Sequence, residues 1–277
     1  MCFLPTDKMT LTQSVTHKMQ CFLQRQRLFL NKLNLKELNK DEFIKYMDTR
    51  TACYHCIKVP HLQFHTSPQT FAAAINILDV FLWKVKVTER HITVVSVACF
   101  FIAAKMLEPE ESCPDARQLS FQHEWTANDL CRMELQILGK LNWSVSTVSY
   151  VDFLQLFADV YGVNHNVLNC EKVTALAQKS LSKKSTVLLE PAVLALSLIH
   201  HVNSDTRNNP AEQQVIVHCN IQETELTECQ ENLSVYASTL LSLSPTRFQH
   251  KLPIRRFDKP SEMGITCLPT IVEEPSA

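Results

Sequence analysis

A chain of 277 residues that is 45% hydrophobic and 20% charged holds enough apolar material for one large or two ordinary packed domains, which excludes general disorder. With only 3 glycines it is poorly supplied for β-turns, most of which lean on Gly, so an all-α protein is expected. A formal net charge of -1 without a long basic run excludes the electrostatic footprint of a nucleic-acid binder.

The start, MCFLPTDKMT, lacks a charged beginning followed by a long apolar stretch, so no secretory signal is expected. Residues 1–40 then carry a broken helical pattern: Val15, Met19, Phe22 and Leu23, the basic Arg25 and Arg27, and Leu28 to Leu38. From Asp41 a longer helix is expected, with Phe43, Ile44, Met47, Tyr54 and Ile57 on one face, limited or kinked by Pro60. Within it, Cys53-x-x-Cys56 followed by His61 and His65 approximates the ligand count of a small zinc site. The plainer reading is a helix presenting two cysteines at i and i+3, with the histidines in the following loop, and no metal or cofactor is assigned. The 11 cysteines are odd in number and scattered over expected core faces, as reduced thiols of an intracellular protein in nucleus or cytoplasm would be.

Ser67-Pro68 reads as a helix start with Pro at the first helical position, ahead of Phe71, Ala74, Ile75, Leu78 and Leu82 at helical spacing. From Ile92 to Ala104 every residue is apolar or small except Thr93 and Ser96, which describes a helix buried on all sides. The run is shorter than the roughly 18 to 20 residues of a membrane span and ends in Lys105, where a cation suits the helix C-terminus, so no membrane is expected as partner. Beyond a loop with Pro109 and Pro114, Thr126-Ala-Asn-Asp129 is an N-cap with an acid three positions on. It opens a helix whose apolar face is Leu130, Met133, Ile137, Leu138 and Leu141. Glu134 sits at the edge of that face, as either a solvated flank or a functional carboxylate beside the core.

These residues carry a resemblance. CFFIAAKMLEPEESCP followed by LCRMELQILGKLNWSV resembles the third to fifth helices of a cyclin box, and AAAINILDVFL resembles the phrase ahead of them in that family. Leu141-Asn142-Trp143 is similar to the G and I branches of the cyclins. The resemblance implies a regulatory subunit that binds a cyclin-dependent-type protein kinase. Lys105 and Glu134 match the lysine and glutamate that contact the kinase and hold its αC helix inward, the position its catalytic ion pair requires. It also implies a substrate-docking patch, in which Arg50 matches the motif's arginine, while Cys53 and Cys56 stand for its leucine and tryptophan. Asp79 matches an aspartate that bridges helices of the box, and Val80 replaces the usual arginine beside it.

From Thr147 a second helical series is expected, with Tyr150, Phe153, Phe157, Val160 and Tyr161 on one side and Gly162 as a left-handed cap. Further helices are indicated at Val173 to Leu181, at Glu190 to Val202 with Pro191 in the first turn, and on Leu226, Cys229, Leu233, Tyr236 and Leu240. The polar stretch Asn203 to Pro210 reads as a turn. Together they outline a weaker five-helix repeat of the first, as the tandem boxes of cyclins imply.

The expected organisation is thus a helical extension over 1–40, a well-matched N-terminal cyclin box over 41–145, a divergent cyclin-like helical domain over 146–243, and a disordered tail over 244–277. The tail holds five prolines, Pro245, Pro253, Pro260, Pro269 and Pro275. Near its end, Leu268, Ile271 and Glu273 resemble the L-x-x-I-x-E peptide recognised by the B-prime regulatory subunits of protein phosphatase 2A. No glycine-rich phosphate loop, nucleophile elbow or His-Glu-x-x-His pattern occurs, so no enzyme is expected.

Overall fold

The computed structural model describes residues 13–30, 39–121, 123–145, 148–164, 171–183, 187, 189–202 and 210–242, and among these every regular element is helical. After α1 (Gln13–Leu30) come α2 (Lys40–Gln63), α3 (Pro68–Lys84), α4 (Ile92–Leu107), α5 (Ala116–Ser120) and α6 (Ala127–Lys140). A second group follows: α7 (Tyr150–Tyr161), α8 (Glu171–Leu181), α9 (Pro191–Val202), α10 (Pro210–Cys219) and α11 (Glu223–Ser242). Each group of five helices closes over its own core.

Local chemistry sets the boundaries. Asn39, Asp115, Thr126 and Ser149 each form a capping box with the residue three positions on, which satisfies backbone N–H groups of α2, α5, α6 and α7. Ser67 caps α3 with Pro68 as its first residue. Gly162 ends α7 at φ 64°, the left-handed conformation that a side chain would make unfavourable. Helix α2 does not stop at Pro60, which is buried inside it, and continues to Gln63. His61 therefore belongs to the helix rather than to the following loop, and the chain turns at His65 with φ 50°.

The first core is built around α4, whose residues from Val94 to Ala104 are all buried between α2, α3 and α6. The run from Glu89 to Leu107 is apolar and long enough for a membrane span, yet most of it is covered by these neighbours. In the second group α9 takes the same place, buried from Ala192 to His200 and packed on α7 and α11. Helix α10 was not expected from the sequence. Its buried residues Ala211, Val215 and Cys219 recur every four positions, but Glu, Gln and His between them mask the stripe.

Helix α1 packs on α7 and α10 rather than on the first group. Met19 and Leu23 are buried in the second core, and the Phe22 ring meets Phe153 edge-on at 5.6 Å. Polar bonds join the two groups. Tyr54 donates to the Gln178 carbonyl at 2.7 Å and Gln69 to Asp152 at 2.8 Å, while Gln26 ties α1 to the second group by donating to Glu190 at 2.9 Å.

Candidate functional site

Helices α4 and α6 lie side by side and bring Lys105 and Glu134 together, although they are far apart in the chain. Lys105 occupies the last turn of α4, where the helix C-terminus favours a cation. Its side chain is 41% exposed, whereas that of Glu134 is only 12% exposed. The ammonium donates to Glu134 Oε1 and stands 4.2 Å from the centre of the Phe101 ring, one turn earlier on α4. The pair is thus aimed by an aromatic face on one side and by the buried flank of α6 on the other.

The backbone after Lys105 is also tied down. Glu108 accepts from the Ser67 backbone N–H at 2.7 Å and from Thr70 Oγ1 at 2.5 Å, linking the end of α4 to the start of α3. Burial raises the Glu108 carboxyl, but these bonds outweigh it and leave the group below its ordinary range. Three large apolar residues next to the pair in sequence find no cover. Met106 and Leu107 follow Lys105, Leu135 follows Glu134, and all three are exposed. A cation and a carboxylate held at fixed spacing within an exposed apolar rim can read backbone and side-chain groups of a protein partner. The rim residues are ordinary members of helical sequences, and only their failure to find a cover in the fold distinguishes them.

Arg50 does not lie on a docking surface, and the expectation that it contributes to one is corrected. It is 2% exposed, and its guanidinium donates to Asp79 at 2.6 and 3.0 Å and to the Leu181 carbonyl at 2.9 Å. Cys53 is buried beside it, where burial pushes its thiol up to about 11. Asp79 has the bridging role expected of it, since it joins α3 to α2. Cys53, Cys56, His61 and His65 do not converge on one point, and no cluster of three or more possible metal ligands occurs among the described residues. The His61 ring is bonded on both edges, by Thr66 Oγ1 at 2.8 Å and by the Gln178 amide at 2.8 Å. The peptide containing Leu268, Ile271 and Glu273 lies outside the described residues.

The fold defines a class, and comparison with known proteins agrees with it. Residues 17–146 match the cyclin N-terminal domain. The chain is 36% identical over 143 residues to Cyclin-G1 of Sus scrofa, covering 49% of this chain and 48% of that protein. It is 35% identical over 143 residues to Cyclin-G1 of Homo sapiens, with the same coverage. Cyclin-G2 of Mus musculus is 31% identical over 144 residues, covering 50% of this chain and 42% of that protein. The chain spans about half the length of the curated relatives it matches. The X-ray structure of a viral cyclin from herpesvirus saimiri superposes with a TM-score of 0.60 at 20% identity, covering 76% of this chain and 96% of the viral one. That likeness extends past residue 146 and shows the tandem helical fold.

Proposed function

We propose that this chain is a cyclin-like regulatory subunit that binds a cyclin-dependent-type protein kinase and modulates its activity in cell-cycle or related signalling. The observation that carries the reading is the Lys105–Glu134 pair, fixed between α4 and α6 inside an exposed apolar rim. In the kinase complex these two groups exchange part of their mutual contact for bonds to the kinase αC helix and the backbone before it. That would bias the kinase toward the state with αC inward, because a ligand shifts an equilibrium by its differential affinity for the two states. The reading treats residues 41–145 as the kinase-binding box and 146–243 as its divergent repeat, and places the protein in nucleus or cytoplasm.

A second reading rests on the tail sequence Cys267-Leu268-Pro269-Thr270-Ile271-Val272-Glu273-Glu274. Here the chain is a non-activating adaptor that recruits protein phosphatase 2A through a B-prime subunit, with Leu268 and Ile271 as apolar anchors and Glu273 as the charge. The two readings use different parts of the chain. Co-purification from cells of the wild type, the Lys105→Ala/Glu134→Ala variant and a chain truncated after Pro260 tests both, with bound kinases and phosphatase subunits read by mass spectrometry. A kinase lost only from the double variant supports the regulatory subunit. A phosphatase subunit lost only on truncation, with no kinase in any sample, replaces it with the adaptor.

A further inference from the structure

Tyr54, Lys58 and His61 are spaced four and three residues apart on α2 and so share one stripe, and this stripe faces α8. Its two ends are fixed to the same residue, Gln178, by Tyr54 at the backbone carbonyl and by His61 at the side-chain amide. Lys58 is held between them, and the residue after Gln178 is a second cation, Lys179. Both lysines are half-buried, and neither ammonium reaches a carboxylate among the described residues. Burial, and then the Lys179 ammonium, pull the Lys58 ammonium below its ordinary range. Glu108, the acid that acts on His61, is occupied by Ser67 and Thr70. The fold therefore holds two like charges together at the seam of its two helical groups, with no carboxylate bonded to either among the described residues.

Beside the cations, Val59 and Leu62 of α2 are exposed. We propose that Lys58 and Lys179 form a docking point for a phosphorylated side chain of a partner protein, with Val59 and Leu62 receiving the apolar residues next to it. A phosphoryl group carries roughly 1.5 to 2 negative charges near neutral pH, so it matches two cations, whereas one carboxylate would leave one of them unbalanced. The surface lies on α2 and α8, apart from the kinase-facing pair on α4 and α6, so either proposal can fail without the other.

The test uses the full chain with ¹³C-methylated lysines and inorganic phosphate as the probe, titrated at constant ionic strength against chloride. Saturable shifts at Lys58 and Lys179, absent at the exposed Lys84 and lost in Lys58→Gln and Lys179→Gln, are expected. Shifts of equal size at all lysines, or shifts unchanged by the two variants, overturn the proposal. A library of peptides with apolar residues beside phosphoserine, and the same library with glutamate in its place, forms the second arm. Retention of phosphorylated peptides about ten-fold above the glutamate set, a difference of ~1.4 kcal/mol, is expected. Equal retention of both sets would reduce the seam to a general acidic-peptide surface and overturn the phosphoryl assignment. The Lys105→Ala/Glu134→Ala variant retains phosphate binding whether or not it binds kinase.

Discussion

Arg50 grips both carboxylate oxygens of Asp79, at 2.6 and 3.0 Å, and donates from Nη1 to the carbonyl of Leu181 in the other helical group. Tyr46 joins the same carboxylate at 3.4 Å. Removing one member leaves a buried charge without its counterion. Asp79→Ala is expected to cost about 3–5 kcal/mol in urea denaturation, and Arg50→Met combined with Asp79→Leu distinctly less, since a buried pair is hard to break but easy to replace by apolar groups.

The Lys105–Glu134 pair is the opposite case. Lys105 is 41% exposed, so Lys105→Ala is expected to cost only about 0–1 kcal/mol of folding stability. If each group enters a desolvated interface, either alanine variant loses roughly 2 to 5 kcal/mol of kinase affinity. The swap Lys105→Glu/Glu134→Lys separates internal pairing from partner reading. It rebuilds the ion pair and should melt near the wild type while failing to bind kinase in a pulldown. A swap that binds as well as wild type would assign the pair a purely internal role.

His61 sets a pH dependence. Burial, followed by the Lys58 ammonium, lowers its imidazole to about 4, against roughly 6.5 in the unfolded chain. The folded state thus takes up its proton later than the unfolded state as pH falls. The stabilisation is complete above the unfolded value and is lost between about 6.5 and 4, by up to ~3 kcal/mol. Urea midpoints measured across that range should slope downward toward acid. His61→Gln, which can still bond Thr66 and Gln178, should flatten this part of the slope.

Gly162 closes α7 at φ 64° with nothing within 4 Å of where a Cβ would stand. A substitution there meets no clash, only backbone strain. Gly162→Ala is expected to cost about 1 kcal/mol in thermal denaturation, and Gly162→Asn less, because Asn tolerates the left-handed conformation.

Local patterns made much of this architecture readable in advance. The Ser67-Pro68 start, the Thr126–Asp129 box and the apolar run into Lys105 each act within a few residues, and each appears where the sequence places it. Lys105 and Glu134 were matched together only through the resemblance to the cyclin box; the apolar residues around them placed each helix without telling that the two lie side by side. Arg50 was not legible, since its fate depends on Asp79 and on Leu181, which are distant in sequence. Lys58 and Lys179 were likewise silent, because nothing in either helix alone tells that α2 lies against α8. Helix α10 was missed for another reason: its three small or apolar anchors are set among polar residues.

The packing of α1 bears on how the chain is made. Met19, Phe22 and Leu23 leave the ribosome before any of the first five-helix group, yet their seat on α7 is synthesised only after that group is finished. At usual elongation rates the wait is on the order of ten seconds. During it the apolar side of α1 has no native cover, which makes it a natural stopping place for a chaperone on the nascent chain.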